Sequence, residues 1–353
     1  MKLRKRVRFN TLKEAAATVT IKDISKACGV SVSTVSKVLN GYADIGRQTA
    51  ETVFRTAEAM GYTPNAAARM LKTNRSHALG VLFSDKVQSG LRHEYFSALL
   101  SSLKDEAERL GYDITFISRN VGGRPMSYLE HCRYRKCDGV VIACVDFNDP
   151  EVVDLMRSDI PVVTVDYTFD QQGAVVSDNV LGMCQLVEYI IGQGHRDIAY
   201  IRGEMTSVTR NRLAGFYRTC EAHGITVPDE YVRIAFYHDP ESNARETKAL
   251  LDLPHPPTCI LYPDDICVLG GRREMERRGL SIPEDISVAG YDGALLSDAL
   301  RPKLTTVRQD SDTIGKRAAD ILIEAIEHKK TYLPLQELIP GEMLPGGTVK
   351  KLN

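Results

Sequence analysis

Apolar positions between Val19 and Met60 recur at three- and four-residue intervals, the spacing of helices with one buried face. Ile21, Ile24 and Ala27 or Cys28 predict a first helix over about 21–28, and Gly29 supplies the backbone freedom to end it. Val32, Val35, Val38 and Leu39 predict a second helix over about 32–40. Val53, Phe54, Ala57 and Met60 predict the buried stripe of a third over about 49–60, stopped by Gly61. Pro64 then opens a short Ala-rich stretch through Leu71, with proline near the first-turn position that tolerates it. From Leu79 the pattern changes. Strand-like runs at 79–83, 114–117, 139–142, 162–165, 198–201, 259–262 and 286–289 alternate with amphipathic stretches at about 95–110, 182–191, 212–223 and 265–278. That alternation predicts α/β architecture with doubly wound parallel sheets. About 270 residues of it is large for one sheet and reads as two lobes around a cleft. The expected organisation is a flexible basic extension (1–19), an all-α helical head (20–63), a hinge helix and linker (64–76) and a two-lobed core (77–349).

Charge adds a second contrast. The net charge of −1 conceals 14 Lys/Arg against 5 Asp/Glu up to Arg75, and 31 against 41 beyond it. A basic head on an acidic core points to a polyanionic partner for the head, because Lys and Arg displace counterions from phosphates. No apolar run approaches the ~20 residues of a membrane helix. No apolar stretch follows the basic start Met1–Arg6, so neither membrane nor secretion is expected. Eight cysteines without paired spacing suit reduced thiols in a cytoplasmic protein. His131, Cys132 and Cys137 lack a second ligand pair, so no metal or other cofactor is expected.

Two short helices separated by Gly29-Val30-Ser31 fit a helix-turn-helix. Once the apolar stripe of the second is set aside, Ser33, Thr34, Ser36, Lys37 and Asn40 remain outside, and no acid occurs from Gly29 to Tyr42. Hydroxyls, one cation and one amide suit base edges and phosphates in a major groove. The run Ile21-Lys22-Asp23-Ile24-Ser25-Lys26-Ala27-Cys28-Gly29-Val30-Ser31-Val32-Ser33-Thr34-Val35-Ser36-Lys37-Val38-Leu39-Asn40-Gly41 resembles the opening signature of the lactose/galactose repressor (LacI–GalR) family. Gly61-Tyr62-Thr63-Pro64-Asn65-Ala66-Ala67-Ala68-Arg69 continues it, and Gly194-His195, Arg212–Phe216, Ile282–Asp285, Gly290-Tyr291-Asp292 and Leu304–Val307 extend it to about residue 349.

The resemblance implies a DNA-binding transcriptional repressor with a periplasmic-binding-protein-like core. Val32, Ser33 and Lys37 take base-reading positions, and Ser31, Thr34 and Asn40 neighbouring contacts. Residues 64–71 match a hinge helix that folds on the operator, and Leu71 matches an apolar lever that unstacks a minor-groove step. Asn65, Ala68, Arg69 and Lys72 flank it as further groove or phosphate contacts. A helix this short is marginal in water, so its folding can be coupled to DNA binding. The implied partners are operator DNA, a second copy of the chain and a sugar or related effector.

Ligands of doubly wound folds bind at the carboxyl ends of strands. Asp85, Arg119, Asp166, Arg212, Asp264, Asp292 and Gln309 align with effector-contacting positions, with Phe96 or Tyr95 as a ring platform. Asp265 and Asp178 also read as helix caps. The family usually carries Asn-Asp where this chain has Asp264-Asp265, and an ionised Asp accepts hydrogen bonds without donating, so the effector is expected to present more donors there. The Lys86–Glu94 loop is also longer and more charged than usual. Two alternatives compete. A sugar-binding transport protein shares the core but not the 21–40 motif. A carbohydrate-acting enzyme would need a nucleophile, phosphate-loop or metal motif that the chain does not show. The tail 344–353 has no heptads, so a dimer without a coiled-coil tetramerisation segment is expected.

Overall fold

The computed structural model describes residues 19–39, 42, 44–62, 75–84 and 90–352. The sequence-predicted positions Asn40, Asn65, Ala68, Arg69, Leu71, Lys72 and Asp85, most of the hinge and Lys86–Ser89 lie outside the described residues. The chain divides into two compact units, Met1–Ser76 and His77–Asn353.

The head holds α1 (Ile21–Cys28), α2 (Val32–Leu39) and α3 (Arg47–Ala59). The Asp23 carboxylate accepts from the Thr20 amide at the start of α1. Gly29, at φ 67°, takes the left-handed conformation that turns the chain toward α2, a geometry side-chain-bearing residues rarely adopt. Ser31 opens α2, its hydroxyl accepting from the Thr34 amide. The core is small: Ile24, Val35, Val38, Val53 and Ala57 are buried. Phe54, expected inside, is 52% exposed. On α3 itself Val53 and Ala57 are buried, while Ala50 and the expected Met60 at its end pack partly buried against the same cluster.

The second unit begins with β1 (Ala78–Phe83), α4 (Glu94–Arg109), β2 (Asp113–Phe116) and the short hairpin β3 (Asn120–Val121) and β4 (Arg124–Pro125). It continues through α5 (Tyr128–Arg135), β5 (Gly139–Ala143), α6 (Pro150–Met156), β6 (Val162–Val165) and β7 (Gly173–Ser177). The second lobe is built from α7 (Asn179–Gly192), β8 (Ile198–Arg202), α8 (Ser207–Ala222), β9 (Val232–Ile234), α9 (Pro240–Leu251), β10 (Cys259–Leu261), α10 (Cys267–Arg277), β11 (Ser287–Ala289) and α11 (Leu295–Ala299). After β12 (Thr306–Arg308) the chain returns to the first lobe with α12 (Ser311–Glu327) and β13 (Gln336–Ile339), and β14 (Glu342–Leu344) pairs back on β12.

The first lobe's sheet runs β13-β7-β6-β5-β1-β2 and the second's β11-β10-β8-β9, every pairing parallel. Parallel strands buried on both faces explain the near-continuous apolar runs such as Val162–Val165, whose four residues are all buried. Helix starts shift toward their caps. Asp178 accepts from Leu181 N, so α7 begins three residues before the apolar pattern, and Thr206 accepts from Thr209 N at the start of α8.

Candidate DNA-reading face and effector cleft

On α2 the packing face is Val35 and Val38, both buried. The periodicity also placed Val32 on that face, but it is 38% exposed. Ser31, Val32 and Ser33 are exposed, with Thr34 and Lys37 half-buried beside them. The Ser31 hydroxyl lies 2.7 Å from that of Ser33 and 2.8 Å from that of Thr34, and Lys37 Nζ donates to Asp44 Oδ2 at 2.5 Å. The five described contact candidates therefore occupy one end and one side of a single helix. Ser31–Thr34 stand at its N-terminal end, where the first-turn N–H groups and the helix dipole favour a phosphate. Lys37 is held by one exposed carboxylate, which a phosphate or base edge can replace.

In the core, strand ends and helix starts of both lobes converge on a cavity of about 100 Å³. Tyr95 and Glu94 from the start of α4, His238, Asp264, Asp265, Asp292 and Gln309 line it. Arg212, on α8, is 2% exposed. Its Nε donates to Asn179 Oδ1 and its Nη1 to Pro263 O, both at 2.7 Å, while Nη2 lies 3.6 Å from Asp292 Oδ1. The guanidinium sits 3.6 Å from the Tyr291 ring centroid. Gly182 makes room for that ring: a Cβ there would fall 2.3 Å from the Tyr291 hydroxyl. Burial opposes the charge on Arg212, but Tyr237, Tyr291 and Asp292 around it hold its pKa above the usual value.

Asp166 follows β6 at φ 57°. It accepts from Tyr95 Oη at 2.8 Å and from Ser177 N at 2.9 Å, and its carbonyl accepts from Ser207 Oγ of the other lobe at 2.6 Å. Asp292, at φ 100°, accepts from Gln309 Nε2 at 2.7 Å. Burial raises the carboxyl pKa of both Asp166 and Asp292 and pushes that of Asp265 far higher. Two buried atoms on the cavity wall, Gln309 Oε1 and His238 Nδ1, have no hydrogen-bond partner. Such atoms are costly when left unpaired, and a ligand would satisfy them. Further interlobe contacts close the cleft: the His93 and His238 rings stack at 4.2 Å, and Glu94 Oε1 accepts from Leu295 N at 2.7 Å.

The sequence-predicted effector residues are thus partly assembled. Tyr95, Asp166, Arg212, Asp292 and Gln309 form one connected group. Asp264 lines the cavity, yet its oxygens accept from Cys267 N and His238 N, so Asp264 rather than Asp265 caps α10. Asp265 instead accepts from Thr306 Oγ1 and Ala294 N, tying β10 to the segments after β11. Arg119 is not brought to this group. Its guanidinium lies over Tyr128 and is engaged by Asp149 and Glu151. Phe96 packs against Phe83, leaving Tyr95 as the ring on the cavity wall. His93 and His238, 145 positions apart in the chain, were missed because no local pattern marks either.

The head and the core each match a known family. Residues 20–65 match the model of bacterial regulatory proteins of the lacI family, and residues 187–349 a periplasmic binding protein-like domain. The HTH-type transcriptional repressor PurR of Vibrio campbellii is 30% identical, covering 95% of this chain and 99% of its own length. PurR of Escherichia coli O139:H28 is 30% identical over 88% of this chain. Among solved structures, the Lac repressor dimer bound to operator and the anti-inducer ONPF covers 95% of the chain at TM-score 0.79 and 26% identity. The transcriptional regulator CelR–cellobiose complex, at 23% identity, shares the fold over 94% of the chain with TM-score 0.69. No helix among the described residues is long and apolar enough to cross a membrane. With a matching head, a matching core and full-length repressor relatives, the chain belongs to the lacI family of bacterial DNA-binding transcriptional regulators.

Proposed function

We propose that this repressor binds a near-palindromic operator as a homodimer and is controlled by a small sugar or sugar derivative held between its lobes. The observation that carries the effector half is the pair of partnerless buried atoms, Gln309 Oε1 and His238 Nδ1, on a cavity joined to Arg212 through Asp292. On the DNA side, Val32, Ser33 and Lys37 read bases, while Ser31, Thr34 and Asn40 hold the phosphates around them. Asn65, Ala68, Arg69 and Lys72 contact the minor groove beside the Leu71 lever. The cleft binds its ligand without turning it over.

A ligand changes DNA affinity only through unequal affinity for two states of the protein. The Ser207–Asp166, Glu94–Leu295 and His93–His238 contacts join the two lobes. An effector that strengthens or breaks them alters the core and, through the 64–76 hinge, the folding of the hinge helices. The test is a thermal-shift screen of the full chain against a broad sugar panel, followed by operator titration with each binder. The expected result is a binder that raises the melting temperature, changes operator affinity and loses both effects in Arg212→Ala. Binding that survives Arg212→Ala unchanged, or hydrolysis of the sugar abolished by Asp166→Asn, overturns the reading.

A further inference from the structure

Neutral sugars present donors and acceptors in pairs, and sites that bind them offer both. This cavity has neutral groups able to donate, Tyr95, Ser311 and His238 among them, but its charge is one-sided. Glu94, Asp264, Asp265 and Asp292 line it, and Arg308 is the one cation among its lining residues. Arg308 is itself paired with Glu342. Arg212 stands behind the wall with Nε and Nη1 already donating to Asn179 and Pro263. Gln309, 6% exposed, turns its donor nitrogen to Asp292 and leaves its acceptor oxygen buried without a partner. Each carboxylate already accepts from the protein, Glu94 from Leu295 N, Asp264 from Cys267 N and His238 N, Asp265 from Thr306 Oγ1 and Ala294 N, and Asp292 from Gln309 Nε2, but four carboxylates against one paired cation leave the lining with an excess of negative charge and of acceptor lone pairs.

We infer that the effector carries a protonated amine, as in an amino sugar or a comparably small hydroxylated amine, and that the ammonium sits between Asp292 and Gln309 Oε1. The inference rests on the cleft being the effector site. An ammonium has three donors and no acceptor, which matches a wall of carboxylates and one orphaned carbonyl. Hydrogen bonds between an ionised donor and an ionised acceptor are also roughly twice as strong as neutral ones. Burial of Asp292 and Asp265 disfavours their charged forms, and a bound cation would favour them again through a direct ion pair. The Tyr95 ring on the same lining is of the kind that receives a cation or the apolar side of a sugar ring.

The experiment compares glucosamine, galactosamine and mannosamine with their parent hexoses and N-acetylated forms. It uses the full chain at neutral pH with EDTA present, read by thermal shift and by calorimetric titration. The expected result is that at least one hexosamine binds about tenfold or more tighter than both its neutral counterparts. Asp292→Asn, close in size and uncharged, should reduce that ratio to near one. Binding of the neutral series as tight as the amines, or of the neutral series alone, overturns the cationic effector and leaves the cleft reading standing. A hexosamine preference unchanged in Asp292→Asn overturns the assigned position. If neither series binds, the cationic effector fails, and a broad neutral-sugar panel that also fails takes the cleft reading with it.

Discussion

The head and the core carry their working residues in opposite ways. In the head, Ser31, Val32 and Ser33 are exposed on a helix whose packing is done by other residues, Val35 and Val38. In the core, Arg212, Asp292 and Gln309 are part of the packing itself, Asp292 joined to both of the others, and Arg212 bonded also to the Asn179 side chain and the Pro263 carbonyl. Function is separable from folding in the first unit and fused with it in the second. Four measurements break or sharpen that contrast.

The largest expected loss is in Arg212→Ala. Removing one member of a buried charged group leaves Asp292 without its cation, a change worth about 3–5 kcal/mol. A domain of the core's size holds roughly 5–15 kcal/mol in reserve, so it should stay folded with a lowered melting temperature and no effector-induced shift. The head's transition should not move. Calorimetry of the full chain reads both, and an unmoved core transition would show that the guanidinium is not integral to the packing.

Ile24→Ala is next. Ile24 is completely buried in a core of five side chains. Truncating such a residue costs about 2–5 kcal/mol. For a head of residues 20–63, at about 0.05–0.15 kcal/mol per residue, that is comparable to the whole stability. Operator binding should be abolished while effector binding is retained. The same size of energetic loss would spare one unit and unfold the other. Retained operator affinity would mean that the head borrows stability from elsewhere.

These two sites also show what the sequence could and could not disclose. The head is local: among the described residues the cluster that holds Ile24 runs only from Val19 to Tyr62, so three-to-four periodicity finds its helices, and the absence of acids marks its reading face. The errors, Phe54 and Val32, arise where periodicity cannot say how wide the buried stripe is. In the core, strand runs such as Val162–Val165 are legible because burial on both faces makes them uniformly apolar. The cleft is less so. Arg119 and Asp166 both follow strands, but only long-range folding sets Asp149 and Glu151 against the one and Tyr95 and Ser177 against the other. The exchange of roles between Asp264 and Asp265 has the same origin, since their partners His238, Ala294 and Thr306 are distant in sequence.

Acidification should give the core a gain that the head lacks. Burial raises the carboxyl pKa of Asp265, and with it those of Asp166 and Asp292, so the folded core holds protons that the unfolded chain releases. Their contribution is fully present below the ordinary carboxylate range and is lost as pH rises through the folded values. In the head, the Thr20 bonds to Asp23 and the Lys37 contact to Asp44 lower those carboxyls. Their contribution is present above the ordinary range and lost as pH falls through it. As pH falls toward the ordinary carboxylate range the ligand-free core should gain from these carboxyls, less what His195 subtracts because burial lowers its pKa, and below that range the head and the core's own ion-paired carboxyls, such as Glu274 beside Arg277 and Arg278, should both lose. Asp265→Asn mimics the protonated acid and should flatten the core's dependence without altering the head's. Equal slopes in the variant and the parent would show that Asp265 does not hold the proton.

The smallest expected effect on stability belongs to Lys37→Ala, and it is the sharpest test of separability. Lys37 is half-buried on α2, and in its ion pair with Asp44 both side chains are about half exposed. Solvent-exposed pairs of this kind contribute little to folding. Calorimetry should therefore place the head's transition where the parent has it. A selection from random DNA should nonetheless return a different operator consensus at the base pairs that Lys37 faces, while the salt dependence of binding falls by about one phosphate contact or less. A changed consensus with an unmoved transition separates reading from folding in the head, which no substitution of Arg212 is expected to achieve in the cleft. An unchanged consensus with weaker binding to every sequence would instead make Lys37 a phosphate contact and leave base reading to Val32 and Ser33.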